Sequence, residues 1–502
     1  MYSSGYNSIN LFGEGGIFMI DLKNVNFSYS EGTKPILKNI NLDIKRGEVI
    51  ALIGSSGCGK TTLTRIFNGL AYKFYNGIIN GEIYIDGMNP CDRELYEIGR
   101  KVGSIFQNPK SQFFAEIVED EISFGLENYG IGRKEMLKRI ELSLNSIRGQ
   151  DLKYKNLFCL SSGERQKVAI ASINALDPPI YVFDEPSSNL DMKSVEALKK
   201  LIISLKNSGK TIIISEHRMY YLKGIVDKYY YIDNGEVVCS YTEKELLDMT
   251  EMNYKELGLR TFLLELISPK LVNCKSINKL DIDKLSFSYG KYNIFSNLSY
   301  SFNDGKVYGI IGENGVGKST LSKVLSGILK EKSGTVHYNG TLLKKNKRRE
   351  YVYYLSNNPD NNLFEVTPED ELRLSDKNAN IEEILKRFHL EKTKGIHPQI
   401  LSGGQKQRLT IATAQLLDRK VYIFDEPTSG LDGENMHLIS GEIRELQKKG
   451  KIIIIISHDY EFLMECCDLV LDLSKQSFRE LVPYEDKEKI LKKLKGDENR
   501  LC

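Results

Sequence analysis

One glycine-rich loop occurs twice in this chain, each time ahead of the same series of downstream elements. The first copy reads Gly54-Ser55-Ser56-Gly57-Cys58-Gly59-Lys60-Thr61 and the second Gly312-Glu313-Asn314-Gly315-Val316-Gly317-Lys318-Ser319. The pattern G-x-x-x-x-G-K-[ST] places glycine where backbone must wrap closely around phosphate oxygens. Each copy is followed by a Leu-Ser-x-Gly element, Leu160-Ser161-Ser162-Gly163 and Leu401-Ser402-Gly403-Gly404, and then by an apolar segment ending in Asp-Glu-Pro, at Asp184-Glu185 and Asp425-Glu426. Two parallel series of this kind constrain the chain to a tandem of α/β nucleotide-handling domains.

Composition narrows the class. The 502 residues carry 69 basic and 67 acidic side chains, a net charge of +2, which gives no electrostatic footprint for nucleic acid. No purely apolar run is longer than Ile452 to Ile456, which is the length of a buried parallel strand and far short of the ~18 to 20 residues of a membrane helix. The eight cysteines form no C-x-x-C pair, so zinc and iron–sulfur readings lack spacing support. No basic cluster followed by an apolar core opens the sequence, so reduced thiols in the cytosol are expected, and Met19 is an alternative start. Cys58, inside the first loop, reads as a small residue that fits there.

Along the chain, residues 1–17 are rich in Ser, Gly and Asn and are expected to be disordered. A first domain is read over 18–240, a connector with helical patches over 241–278, a second domain over 279–473, and a charged, weakly structured tail over 474–502. In the first domain Leu42–Ile44, Val49–Ile53, Ile180–Phe183 and Thr211–Ile214 read as strands, with a helix starting at Lys60. Strands alternating with helices imply a parallel sheet. The offset between copies is 258 at Lys60/Lys318 but 241 at Asp184/Asp425. The second copy has therefore lost 17 residues before its Leu-Ser-x-Gly element, expected between strand and helix where partner contacts differ. The basic run Lys344-Lys345-Asn346-Lys347-Arg348-Arg349 reads as a solvated hairpin, with lipid headgroup contact as the alternative.

The chemistry follows from residue type. Lys60 and Lys318 reach β- and γ-phosphate oxygens, while Thr61 and Ser319 offer a hydroxyl to Mg²⁺. Asp184 and Asp425, at strand ends, place a carboxylate near that metal, and Glu185 and Glu426 next to them polarise an attacking water. His217 and His458 each follow a strand and share the 241-residue offset, which favours a γ-phosphate contact. Ser161, Gly163, Ser402, Gly404 and Gln405 lie where each Leu-Ser-x-Gly element opens a helix, so their amides are suited to an anion. Because each half already has its own phosphate loop, each element is expected to cap the nucleotide held by the other half.

At this point the residues closely resemble the ABC ATPase family, over about 19–472. The resemblance implies two tandem ABC-type P-loop NTPase domains, each with a RecA-like mostly parallel sheet, a β subdomain and a helical signature subdomain. It assigns ATP binding to Gly54, Ser55, Gly57, Gly59, Lys60, Thr61 and Thr62 in the first half. In the second half it assigns Gly312, Glu313, Asn314, Gly315, Gly317, Lys318, Ser319 and Thr320. It also implies adenine stacking on Tyr29 and Tyr289, and Mg²⁺ contacts from Thr61, Ser319, Gln107, Asp184 and Asp425. The stretch Phe106-Gln107-Asn108-Pro109-Lys110-Ser111-Gln112-Phe113-Phe114 is similar to F-Q-N-P-x-x-Q-x-F of energy-coupling factor (ECF) transporter ATPases, as is Glu119–Asn128 to a second run of theirs. Asn-Pro breaks the strand, which offers Gln112 and the aromatic residues to a partner helix. A worn copy stands at Asn357-Asn358-Pro359-Asp360-Asn361-Asn362-Leu363-Phe364.

In that family the halves pair head to tail. One site would then join Lys60, Gln107, Glu185 and His217 to Ser402, Gly403, Gly404 and Gln405. The other would join Lys318, Asn357, Glu426 and His458 to Ser161, Ser162, Gly163 and Glu164, with Asn357, Ser162 and Glu164 departing from the pattern. The resemblance implies an ATPase subunit at the cytoplasmic face of the membrane. It would energise vitamin or trace-nutrient import with a transmembrane scaffold and a substrate-capturing membrane subunit. The fused ATPase of a monosaccharide importer and a soluble translation-factor ATPase are the alternatives.

Overall fold

A computed structural model describes residues 18–269 and 276–496. The disorder expected of residues 1–17 and the last residues of the tail lie outside the described residues. The chain divides into two compact units, one running up to Ser187 and including Ala197–Met249, the other comprising Ser188–Glu196 and the chain from Thr250.

In the first unit the central sheet orders its strands Val102–Ile105, Ile180–Asp184, Thr211–Ser215, Val49–Ile53 and Lys228–Asp233, all parallel. Glu236–Tyr241 closes the edge antiparallel. Val49–Ile53 and Thr211–Ser215 are buried at every position, which is why they read as continuous apolar runs without alternation. A three-stranded antiparallel sheet, Leu37–Lys45, Phe18–Ser28 and Ile78–Ile85, packs its apolar side onto the same core. The second unit repeats the plan. Val352–Leu355, Val421–Asp425, Ile452–Ile456, Lys306–Ile311 and Leu469–Leu473 are parallel, and Phe478–Leu481 is antiparallel at the edge. Its small sheet has four strands. The five isoleucines Ile452–Ile456 form the fully buried strand expected.

Three expectations need correction. The tail is not weakly structured: Phe478–Leu481 completes the sheet, and the helix Pro483–Lys495 buries Ile490 and Leu494. The 17 lost residues do not all lie between strand and helix. The two helices that precede the Leu-Ser-x-Gly element, Val118–Asn128 and Arg133–Ser146, shrink from 11 and 14 residues to 8 and 7 in Pro368–Ser375 and Ile381–Arg387.

The basic run is not a hairpin either. Lys345–Tyr351 is a helix, and Arg348 is the largest fully buried side chain described. Its guanidinium donates to Glu331 Oε2 and Oε1 at 2.8 and 2.9 Å, to Leu343 O at 2.9 Å and to Val324 O at 3.0 Å. A pattern of consecutive charges conceals this because only one of them faces inward. Arg348→Ala is expected to cost about 2–3 kcal/mol by stranding Glu331 and two carbonyls. Lys345→Ala should stay within about 0.5 kcal/mol. Urea unfolding of both variants checks the contrast.

The connector is helical at Glu243–Leu247 and Glu251–Glu256. Tyr254, Leu259, Phe262 and Leu264 are buried, so from Thr250 onward it is part of the second unit rather than a free tether.

Candidate functional site: a phosphate loop and carboxylate cluster in each unit

The buried strand Val49–Ile53 runs into the first glycine loop, and the helix Lys60–Phe67 leaves it. Gly54 adopts φ 147°, and a Cβ there would lie 2.1 Å from the Ile232 carbonyl oxygen, so no side chain fits. Gly312 repeats this with φ 148° and 2.8 Å to Leu473 O. Lys60 Nζ is drawn over its loop by Gly54 O at 2.9 Å and Ser55 O at 2.8 Å. Lys318 Nζ is held likewise by Gly312 O at 2.8 Å and Glu313 O at 3.1 Å. Burial lowers the Lys318 ammonium from its ordinary value, with Glu426 the largest opposing influence. Each loop is thus a ring of backbone with one lysine charge at its centre, followed by a helix N-terminus, which suits an anion.

The Asp-Glu pairs come to these loops. Thr61 Oγ1 donates to Asp184 Oδ1 at 3.1 Å. Ser319 hydrogen-bonds Asp425 in the same way, and Tyr354 OH donates to Asp425 Oδ2 at 3.1 Å. Burial, with Glu185 adding repulsion, pushes the Asp184 carboxyl up to about 6, and burial raises Asp425 too. A hydroxyl and one carboxylate in each unit form the sparse oxygen set that fits Mg²⁺, an ion that binds one or two carboxylates together with substrate phosphates. No cluster of three or more His, Cys, Asp or Glu side chains able to hold a metal occurs among the described residues. Mg²⁺ there would offset the burial and the charge repulsion that raise Asp184 and would polarise phosphate oxygens.

The adjacent glutamates share a feature that no motif announces. Glu185 has φ 46° and Glu426 φ 52°, both left-handed and unusual for a side chain of this size. Each is pinned by its amide, Glu185 N donating to Ser215 O and Glu426 N to Ile456 O, both at 2.9 Å. Strain of this sort persists where the fold overdetermines it and is concentrated at functional sites.

The surroundings of the two glutamates differ. Gln107 Nε2 donates to Glu185 Oε2 at 2.6 Å, and His217 Nε2 lies 3.2 Å from Glu185 Oε1. In the second unit His458 Nε2 stands 3.8 Å from Glu426 Oε1, with Ser457 Oγ and His458 N at 3.4 Å from Oε2. Asn357 is exposed and, among the described residues, its side chain makes no hydrogen bond.

The loop after Gln107 is tightly built. Asn108 Oδ1 accepts from Lys110 N at 3.1 Å, and Glu121 Oε2 accepts from Phe114 N and Ala115 N at 2.8 and 2.9 Å. Gln112 is not offered outward: its Oε1 accepts from Phe106 N at 3.3 Å. What the loop presents is Phe114, 76% exposed and stacked on Phe124 with centroids 4.9 Å apart. The worn copy keeps this scaffold, with Asn362 Oδ1 accepting from Ser356 N and Glu371 Oε2 from Phe364 N and Glu365 N. Glu121 and Glu371 anchor both loops. Their matching place in the two halves was the signal available in the sequence, although neither stood among the candidate residues.

The remaining candidates fall as follows. Ser161 and Ser402 are N-caps, accepting from Glu164 N and Gln405 N at 3.3 Å in reciprocal capping boxes. The Ser161 amide and hydroxyl hold the Glu164 carboxylate below its usual range, so the residue that departs from the pattern there brings a negative charge. Tyr29 turns toward its own unit, its hydroxyl 3.4 Å from Thr62 Oγ1 and accepting from Arg65 Nη1 at 3.0 Å, whereas Tyr289 is 47% exposed. Cys58 is buried and its thiol is pushed up by desolvation, the behaviour of a residue that simply fits. Residues 188–196 group with the second unit, where Asp191 accepts from Asn314 Nδ2 and Ser188 O from Ser429 Oγ at 2.8 Å.

A twisted parallel sheet, a lysine-centred phosphate loop and a strand-end Asp-Glu pair in each unit define a tandem P-loop ATPase. A family model described as ABC transporter matches residues 37–188 and 295–429, and the chain belongs to that family, whose ATP-binding domains are Mg²⁺-dependent ATPases. A Treponema denticola protein described as an ABC transporter ATP-binding protein is 38% identical over 91% of this chain and 95% of its own length. A Bacillus subtilis protein described as an HMP/thiamine import ATP-binding protein, YkoD, is 32% identical over 91% of this chain and 90% of its own length. An archaeal ribosome recycling factor, aABCE1, superposes with a TM-score of 0.64 over 94% of this chain and 92% of its own, at 21% identity, a likeness of fold alone. No helix among the described residues is long and apolar enough to cross a membrane.

Proposed function

We propose that this chain is the energising ATPase subunit of an ECF-type importer for a vitamin or trace nutrient. It would sit at the cytoplasmic face of the membrane, with a transmembrane scaffold and a separate substrate-capturing subunit as partners. The observation that carries the reading is the loop joining Gln107, which holds Glu185 at 2.6 Å, to the exposed Phe114–Phe124 stack. Displacement of the stack by a partner helix reaches the Glu185 carboxylate through one short, hydrogen-bonded loop. The thiamine-type description of YkoD supports the substrate class.

In this reading the halves pair head to tail. Ser402, Gly404 and Gln405 cap the triphosphate held by Lys60 and Thr61, and Ser161 and Gly163 cap the one held by Lys318 and Ser319. Glu185 and Glu426 accept a proton from the attacking water, oriented by Gln107 and by His217 and His458. Binding closes the halves, and hydrolysis reopens them.

Affinity purification of the full chain from solubilised membranes tests this. Import predicts co-purified membrane subunits, and Phe114→Ala with Phe124→Ala should cut their recovery at least about tenfold, the loss expected of two aromatic anchors. The ATPase of the isolated chain should survive that change. Ribosomal particles in place of membrane subunits would favour the translation-factor alternative, and sugar-importer subunits the monosaccharide one.

A further inference from the structure

The connector supplies one side chain to the core of the second unit's reaction loops. Arg260 is 2% exposed. Its Nη2 donates to Asp459 Oδ1 and Oδ2 at 2.5 and 2.6 Å, its Nε to Glu461 Oε2 at 2.7 Å, and its Nη1 to Leu431 O at 3.3 Å. Thr261 N donates to Glu461 Oε1 at 3.0 Å, and Gly433 N to Gly258 O at 3.1 Å. A Cβ on Gly433 would lie 2.2 Å from Leu259 O, so the connector's backbone is seated directly on the start of the helix Gly433–Lys448.

These partners lie in the two loops that shape the second site or in the first turns of the helices that follow them, Gly433–Lys448 and Tyr460–Cys466. Asp459 follows His458, and its amide donates to Ser457 Oγ at 3.1 Å. Ser457 Oγ and His458 N in turn face Glu426 Oε2. Asp459 Oδ2 also accepts from Thr428 Oγ1 at 3.1 Å, two residues after Glu426. Leu431 lies in the loop that follows, Ser429–Asp432. One guanidinium therefore ties the loop bearing His458 to the loop running on from Glu426. The first unit is wired with the charge reversed. Arg218 occupies the place of Asp459 there, with its Nη1 toward Ser187 O at 3.5 Å, and the arginine belongs to the loop itself rather than to the connector.

We infer that Arg260 is a positioning residue for the second ATP site, through which the connector between the halves sets the separation of His458 from Glu426. The inference rests on the proposed roles of Glu185 and Glu426. It implies that the second site, but not the first, responds to force on the connector.

Two measurements on the full chain test it. In hydrogen exchange, Arg260→Met should raise exchange of the 428–433 and 457–463 segments about tenfold and leave 185–191 and 215–222 unchanged. Unchanged exchange at 428–433 and 457–463 would overturn the inference whatever the enzyme does. In steady-state ATPase, Arg260→Met should lower kcat about tenfold on a Glu185→Gln background, with KM for MgATP within about twofold, and change the Glu426→Gln background less than about twofold. Arg260→Lys, which keeps charge but not the fork, should fall between.

If Arg260→Met does not fold, the triple variant with Asp459→Asn and Glu461→Gln removes the stranded charges. Turnover equal to the parent on the Glu185→Gln background would show that Arg260 only neutralises buried carboxylates, and would overturn the inference. An equal loss on both backgrounds, or a loss on neither, would sink the connector's role while leaving the catalytic reading intact. If neither Glu185→Gln nor Glu426→Gln lowers turnover, the catalytic reading fails and this inference with it.

Discussion

Glu185→Gln is expected to lower the ATPase kcat of the full chain by about 10²–10³-fold, the range for removing a positioned general base. Glu426→Gln is expected to cost no more than about tenfold. The asymmetry comes from the carboxylates' neighbours. Glu185 is held between Gln107 at 2.6 Å and His217 at 3.2 Å, whereas Ser457 Oγ stands 3.4 Å and His458 Nε2 3.8 Å from the Glu426 carboxylate. Small misplacements of a catalytic base are costly. The backbone does not distinguish the two, since both glutamates share the left-handed conformation and the same amide anchor. The expected difference is assigned to the side chain opposite, Gln107 or Asn357. Asn357→Gln on the Glu185→Gln background should recover part of the turnover. Equal losses from Glu185→Gln and Glu426→Gln in steady-state assays would refute the asymmetry.

The parts of the site that were legible in the sequence are those where backbone geometry dictates residue type. Gly54 and Gly312 stand where a Cβ meets a carbonyl, and the strands feeding the loops are buried at nearly every position, so both left an unambiguous pattern. Side-chain direction left much less. Gln112 stands in a loop motif beside exposed aromatic residues, and only its bond to Phe106 N reveals that it faces inward. Arg348 sits in a run of solvated charges, yet one residue per helical turn can face the core, and the run conceals which. The φ of Glu185 and Glu426 is invisible because glutamate is not a residue type associated with that conformation. Arg260 was unreadable for a different reason: its partners lie about 200 residues along the chain, and no local period links them.

A buried acid with no counterpart in the second half gives the first unit its own pH dependence. Glu216 is 2% exposed, and burial, with Glu185 adding repulsion, pushes its carboxyl from 4.5 up to about 8. Ser187 Oγ donates to its Oε1, while Oε2 has no partner among the described residues. A raised carboxyl pKa means the folded state holds the proton more tightly than the unfolded one. The stability it confers is complete below about pH 4.5 and is lost progressively as pH rises through about 8. Each pH unit separating the folded from the unfolded value is worth about 1.4 kcal/mol, so ionisation costs the first unit about 4–5 kcal/mol by pH 9. Glu216→Gln keeps the shape and the acceptor for Ser187 but cannot ionise. The variant should match the wild type at pH 5 within about 1 kcal/mol and exceed it by about 4 kcal/mol at pH 9, read as the difference between the two proteins in the first unit's urea transition. Serine occupies the corresponding place in the second unit, at Ser457, so the second transition should not move. A variant that tracks the wild type across the whole range would mean that Glu216 is ionised in the fold at neutral pH. Its charge would then press on Glu185 from behind, and the first site would have to work against two buried carboxylates rather than one.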